Sequence, residues 1–311
     1  MEAAPLYNDV AEGPDGGAGY WLRTSDGLRI RMAVWPEGKK GTVLMFPGRT
    51  EYAEKYGRAA QDYATRGYAT VAIDWRGQGL ADRMLEDEHI GHVCHFTDYQ
   101  HDVAAVMEAV TELDLPKPWF VIAHSMGGCI GLRSVMEGLD VEACAFSAPM
   151  WGVQISPPLR PVAWGISQLF PPLGLGGLRS PGTNNSIYVL EEPFDDNKLT
   201  NDQDMWEYMG RHAKAHVGLA LGSPSIRWLG EALVEMRELA SRPAPDKKCI
   251  CFLGTNERIV DPGRIKERMA NWPGGELIEF PLAEHEVMME EPAVRNRVFD
   301  ASVALFEKAV A

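Results

Sequence analysis

The chain has 311 residues, 45% of them hydrophobic and 24% charged. That is enough apolar mass to bury a large core, which excludes a mostly disordered polypeptide; the length suits about two domains, or equally an α/β core of roughly 200–250 residues carrying one insertion. Lys and Arg total 30 against 44 Asp and Glu, a net charge of −14, and with no basic run such a chain repels phosphate backbones, which argues against nucleic-acid binding.

Residues 1–18 are rich in Gly, Pro and acidic residues and are expected to form a loose N-terminal arm. Tyr20–Arg23 and Arg29–Trp35 flank the turn signal Ser25-Asp26-Gly27 and read as a β-hairpin. Thr42–Phe46 is a short apolar strand ending at Pro47-Gly48, Glu51–Thr65 reads as a helix, and Tyr68–Asp74 as another buried strand. In Asp98–Leu113 the stripe Val103, Val106, Met107 and Val110 marks a helix. Strand Trp119–Ala123, helix Met126–Glu137 and strand Ala143–Ser147 continue the alternation.

The rhythm then breaks. Residues 151–240 hold prolines, glycines, aromatics and short helical stretches without a clear strand, and they read as an inserted, mainly helical cap. It returns with strand Cys249–Leu253, helix Pro262–Asn271, strand Glu276–Phe280 and a closing helix Glu291–Ala309. Strand–helix repetition predicts an α/β fold: a doubly wound, mostly parallel sheet built from residues 19–150 and 241–311, covered on both faces. Cys249 and Cys251, two apart in a strand, point to one face as small buried hydrophobes rather than a metal pair. No signal peptide or spanning segment is visible, since the most apolar window, Leu159–Leu178, is interrupted by Arg160 and three prolines; a cytoplasmic location is expected.

The sharpest local signal is Val121-Ile122-Ala123-His124-Ser125-Met126-Gly127-Gly128. An apolar strand runs straight into a serine flanked by small residues and then into a helix, the pattern of a nucleophile elbow. The usual G-x-S-x-G has Ala123 in its first position here, a departure of one methyl. A serine hydroxyl needs a base, and the base needs an acceptor to set its tautomer. His124 is adjacent but should point away from the serine. His89, His92, His95 and His101, and the pair His212/His216, suit structural or surface roles. His285 instead follows strand Glu276–Phe280 in a short loop at the carboxyl edge of the sheet, where Ser125 also lies and where ligands of open α/β sheets bind. The acid is sought after strand Cys249–Leu253, where Glu257 and Asp261 both qualify. Asp261 immediately precedes Pro262 and is accounted for as a helix N-cap, so Glu257 is the stronger candidate. The N–H of Met126 at a helix N-terminus and the N–H of Arg49 in the Pro47–Glu51 loop are the candidate oxyanion donors. The Arg49 side chain is also free to meet an anionic group of a substrate.

The sequence resembles the α/β-hydrolases, most nearly the monoacylglycerol lipase, lysophospholipase L2 and serine aminopeptidase-like branch. The resemblance spans roughly residues 20–308 and is carried by FPGRTEYAEKY (46–56), IDWRGQGLADR (73–83), IAHSMGGCIGL (122–132), LGTNERIVDP (253–262) and LAEHEVMMEEP (282–292). Where the family has His-Gly, this chain has Pro47-Gly48, which removes a histidine that helps to hold the loop. Gln78 and Ala81 replace the histidine and serine of D-x-R-G-H-G-x-S, and the acid is Glu257 where Asp is commoner. The resemblance implies a triad of Ser125, Glu257 and His285 with Arg49 and Met126 as backbone donors, acting without cofactor or metal. It further implies cleavage of monoacylglycerol- or lysophospholipid-like acyl esters, with a general carboxylesterase of small esters as the nearest alternative and a non-catalytic receptor on the same fold as a remoter one. In the cap, Trp151, Ile166 and Phe170 are the candidate substrate-binding residues, and its apolar side chains suit transient contact with a lipid surface.

Overall fold

The structure, a computed structural model, describes residues 1–183 and 187–311. In chain order its strands are β1 (Glu2–Ala4), β2 (Ala18–Arg23), β3 (Arg29–Trp35), β4 (Thr42–Phe46), β5 (Ala69–Asp74), β6 (Trp119–His124), β7 (Ala143–Ser147), β8 (Lys248–Gly254) and β9 (Glu276–Phe280). They form one sheet ordered β1-β2-β3-β5-β4-β6-β7-β8-β9. The β1, β2, β3 and β5 pairings are antiparallel, and every pairing from β5 through β4 to β9 is parallel. The helices are α1 (Asn8–Ala11), α2 (Gly57–Thr65), α3 (Tyr99–Glu112), α4 (Met126–Met136), α5 (Arg160–Leu169), α6 (Tyr188–Glu191), α7 (Gln203–Ala215), α8 (Ile226–Ser241), α9 (Pro262–Ala270) and α10 (Pro292–Val310). None of them is long and apolar enough to cross a membrane.

This is the doubly wound, mostly parallel architecture expected from strand–helix alternation. The central strands read as continuous apolar runs because both of their faces are covered. Leu44, Phe46, Val121, Ala123 and Phe146 face one core with Val103 and Val106 of α3 and Ile130 of α4. Val43, Met45, Phe120 and Ile122 face the other, with Tyr63 of α2 and Phe299 and Phe306 of α10. Cys249 and Cys251 both belong to the first core, as period-2 geometry requires. The chain winds from β4 outward to β5 and then back to β6 on the other side of β4. The loops after β4 and β6 therefore part in opposite directions and leave a crevice between them at the carboxyl edge.

The N-terminal segment departs from the expected loose arm. β1 pairs with β2, and α1 buries Val10 and Ala11. Tyr208 donates to the Ala11 carbonyl (2.7 Å), His212 Nε2 donates to the Val10 carbonyl (2.7 Å), and the Tyr7 ring stacks on His216 at 3.7 Å between centroids. These contacts use backbone carbonyls and distant partners, so no periodic apolar pattern announces them. The helix expected from Glu51 begins later, with a 3-10 turn at Ala53–Tyr56 and then α2. Gly57 opens α2 because a Cβ there would sit 1.8 Å from the Ala11 carbonyl oxygen. An insertion carrying α5–α8 leaves the sheet between β7 and β8; α8 runs to Ser241, one residue past the expected boundary, and 184–186 lie outside the described residues.

Candidate active site

Ser125 stands between β6 and α4 with φ 48° and ψ −117°, a conformation that L-residues rarely adopt. Its N–H donates to the Ser147 carbonyl of β7 (3.0 Å), and its carbonyl accepts from Gly128 (2.9 Å) and Met150 (2.8 Å), so the turn is held on both sides. The small residues around it follow from contact distances. A Cβ at Gly127 would lie 2.0 Å from the Phe46 oxygen, and one at Gly128 would lie 2.4 Å from Pro149 Cβ. Ala123 is tolerated in place of the usual glycine because residue 131, one turn into α4, is itself glycine: a Cβ there would come within 3.1 Å of the Ala123 methyl. Met126 opens α4, where the first amides have no intrahelical acceptor.

The β9–α10 loop carries His285 and the β8–α9 loop carries Glu257. The buried His285 Nδ1 donates to Glu257 Oε2 at 2.7 Å. The other oxygen, Oε1, accepts from the amides of Ile259 (2.6 Å) and Val260 (2.9 Å). Burial would raise the Glu257 pKa, but His285 and the two amides outweigh it and hold the carboxyl below its ordinary range. Asp261 caps α9 by accepting from Gly263 N–H at 2.9 Å, the role expected from Pro262. The insertion pins the His285 loop: the amides of His285 and Glu286 donate to the Lys198 (3.3 Å) and Leu199 (2.8 Å) carbonyls, and Asn201 Nδ2 donates to the Leu282 carbonyl (3.0 Å). Nothing in the local sequence signals this clamp, because its two halves lie more than eighty positions apart.

The loop after β4 loses the family histidine at position 47 but is held by other groups. Trp75 Nε1 donates to the Pro47 carbonyl (2.9 Å), and Gln78 Nε2 donates to the carbonyls of Gly48 (2.8 Å) and Glu51 (3.0 Å). The Gly48 N–H donates to Glu51 Oε2. Gln78, at the position where the family histidine is replaced, is thus a loop-positioning residue that sequence reasoning missed. Beneath the loop a buried charged group brings together Glu51, Lys55, His124 and Glu286. Lys55 Nζ donates to Glu51 and to Glu286 Oε1 (2.6 Å), and His124 Nε2 lies 3.3 Å from Glu286 Oε2. His124 does not simply turn away from the site. Its Nδ1 meets the Ser147 carbonyl (3.0 Å) while its ring packs 4.7 Å from that of His285. Burial alone would lower the His124 pKa, yet the Glu286 and Glu51 carboxylates raise it above the ordinary imidazole range. Glu51, His124 and Glu286 present ligand atoms close enough to hold a metal ion. The Lys55 ammonium already bridges both carboxylates and supplies the positive charge there.

Ser125, His285, Arg49 and His124 line one cavity of about 590 Å³, a size typical of small-molecule sites. From the insertion its wall takes Ile187, Tyr188, Leu199, Met209 and Leu221 among others. Three expected wall residues lie elsewhere. Trp151 turns under the sheet, packs on Phe146 and Trp272 (centroids 5.0 and 6.2 Å) and donates to the Gly128 carbonyl (3.0 Å); it lines a separate cavity with Cys129 and Leu132. Ile166 and Phe170 are absent from the wall of the Ser125 cavity. Helix α5 packs against α8, where a Cβ at Gly230 would lie 2.9 Å from Ser167, and it leaves Val162 and Leu169 in solvent. Helical spacing identified an apolar helix but not the neighbour it packs against.

A family model described as Serine aminopeptidase, S33 matches residues 37–292. Lysophospholipase L2 of Escherichia coli (strain K12) is 29% identical over 282 residues, covering 86% of this chain and 80% of its own length. Monoglyceride lipase of Saccharomyces cerevisiae is 23% identical over 299 residues, 88% of each chain. A crystal structure of a soluble variant of that yeast lipase in complex with a substrate analog is similar with TM-score 0.71 at 20% identity, over 93% of this chain and 94% of the other. A thermostable carboxyl esterase from Bacillus coagulans in complex with glycerol is similar with TM-score 0.73 at 14% identity, over 96% and 100%. At such identities the solved structures speak for a shared fold.

Proposed function

The chain belongs to the serine aminopeptidase S33 family of α/β-hydrolases, and from that premise we propose that it is a serine hydrolase that cleaves carboxylic esters through an acyl-enzyme. Ser125 attacks the acyl carbon while His285 Nε2 takes its proton. Glu257 keeps the Nδ1–H tautomer and balances the imidazolium. The N–H groups of Arg49 and Met126 stabilise the tetrahedral anion. His285 then protonates the leaving alcohol, and a water activated by the same imidazole releases the acid. The observation that carries this reading is the buried 2.7 Å bond from His285 Nδ1 to Glu257, on the wall of the cavity that also exposes the strained Ser125.

The substrate is a monoacylglycerol- or lysophospholipid-like acyl ester. The names of the bacterial and yeast relatives support this class, as do the apolar side chains Ile187, Leu199, Met209 and Leu221 that the insertion adds to the cavity wall. Leu159, Val162, Leu169 and Leu173, exposed on the insertion, support its use as a cap that touches lipid surfaces transiently. A panel of esters of graded acyl length, run on wild type and Ser125→Ala, tests the proposal. A loss of more than about 10³ in rate is expected. Equal turnover by the two proteins, or failure of the intact protein to label with a fluorophosphonate, overturns it. An optimum at short acyl chains assigns a general carboxylesterase instead.

A further inference from the structure

The proposed mechanism uses only the backbone N–H of Arg49 and leaves its guanidinium without a task. Arg49 is partly buried, and the arginines buried more deeply are matched by acids. Arg31 meets Asp74 (2.7 Å) and Glu54 (2.6 Å), Arg76 meets Asp26 (2.8 Å) and Asp102 (2.9 Å), and Arg133 meets Glu235 and Glu137. Arg83 and Arg268 have no acid but are each bound by two or more carbonyls. Arg49 has one: its Nη1 donates to the Gly222 carbonyl at 2.8 Å, and the guanidinium lies 5.7 Å from the centre of the Trp228 ring. Among the described residues no carboxylate lies within ion-pair reach of it.

This cation lines the same cavity as Ser125 and His285. Its desolvation pulls the pKa down to about 10, so it remains charged at neutral pH. Two of the acids on the cavity wall, Glu51 and Glu286, are committed to Lys55 and His124. Of the others on that wall, Glu192 is exposed, and Lys198 adds a second cation without an acid partner among the described residues. A partly buried guanidinium with several unused donors favours an anion that can meet it. Its planar fork matches two oxygens of one oxyanion, and the strongest such pairs are with carboxylate and phosphate.

We propose that the Arg49 guanidinium binds the phosphodiester of a lysophospholipid head group, so that the enzyme selects anionic or zwitterionic glycerophospholipid esters over neutral monoacylglycerols. The covalent geometry of the substrate supports this. In a 1-acyl glycerophospholipid the glycerol carbons link the scissile ester directly to the phosphate, while Arg49 carries both a candidate donor for the ester oxyanion and, one side chain away, the cation. The inference rests on the ester-hydrolase reading for its enzymatic consequence but not for binding itself.

The test compares 1-acyl-glycerophosphoglycerol with 1-acylglycerol of the same chain as substrates of wild type, Arg49→Met and Arg49→Lys. The ratio of kcat/KM for the phosphodiester to that for the neutral ester is expected to fall about 10–100-fold in Arg49→Met, the effect of one lost charge-assisted hydrogen bond. Arg49→Lys should recover part of the ratio, mostly through KM. An unchanged ratio, with both substrates slowed equally, overturns the assignment. A second arm titrates the non-hydrolysable 1-O-alkyl-glycerophosphoglycerol and 1-O-alkylglycerol into Ser125→Ala, with and without Arg49→Met. If Arg49-dependent binding of the phosphodiester persists while wild type hydrolyses neither ester, the hydrolase reading fails and the head-group site stands. If hydrolysis is intact and binding is indifferent to Arg49, the site fails alone. Arg49-dependent binding of a long-chain fatty-acid anion but not of the phosphodiester also overturns it, because the cation then serves a carboxylate.

Discussion

Replacing Glu257 by Gln tests the proposed catalytic geometry with almost no change of shape. Two backbone amides, of Ile259 and Val260, donate to Glu257 Oε1 at 2.6 and 2.9 Å. A glutamine must keep its oxygen on those amides, because the reverse orientation would set NH₂ against two N–H donors. Its NH₂ then faces His285 Nδ1, where the carboxylate now accepts at 2.7 Å. To accept from that NH₂, Nδ1 must give up its proton, so the imidazole carries it on Nε2 and can no longer receive the Ser125 proton. A tautomer error of this kind lowers kcat by about 10⁴, which corresponds to about 5 kcal/mol of transition-state stabilisation. The assay is steady-state hydrolysis of a soluble ester by wild type, Glu257→Gln and Glu257→Asp, with thermal unfolding as a check on the fold. KM should change little. A loss smaller than about tenfold in Glu257→Gln, with the fold intact, would show that residue 257 does not set the tautomer of His285.

Gly127→Ala forces a Cβ to 2.0 Å from the Phe46 oxygen and 2.5 Å from that of Pro47, both backbone atoms; denaturant titration should show a loss of at least about 3 kcal/mol. Gly165→Ala in α5, where a Cβ meets nothing within 4 Å, should instead add about 0.5–1 kcal/mol. Gln78→Ala leaves the Gly48 and Glu51 carbonyls without their donor; it should cost about 2 kcal/mol of stability and lower kcat more than it raises KM, and a variant that is merely less stable, with kcat unchanged, refutes the loop-positioning role. Burial lowers the His212 pKa from 6.5 to about 4. The unfolded chain therefore binds this proton first as pH falls. The contribution is fully present above pH 6.5 and is lost between 6.5 and 4, about 3 kcal/mol in all. The pH dependence of Tm should flatten across that window in His212→Gln, and an equally steep profile in the variant counts against this assignment.

How much was legible beforehand depended on whether the determining contacts were local in sequence. The short apolar runs and the turn residues between them specify β2 through β9, and the order of the helices follows, because alternation and handed crossovers leave few ways to cover a parallel sheet on both faces. The small residues around Ser125 are legible as a motif, and the contacts that require them are close ones: Gly127 against the Phe46 oxygen at the end of β4, Gly128 against Pro149 just past β7. The meeting of Glu257 and His285 is implied by strand order alone, since both loops leave the carboxyl ends of neighbouring strands β8 and β9. What the tertiary structure decided concerns contacts between distant segments without a repeating pattern. Trp151 was free, as far as sequence shows, to face either side of the sheet edge, and the gap beside Phe146 and Trp272 decided it. The N-terminal arm is ordered by carbonyls and polar side chains of α7, which carry no hydrophobic period. Gln78 and the 198–201 clamp act through hydrogen bonds to main-chain groups, and any residue type offers those groups, so composition is silent about them until the backbone is folded.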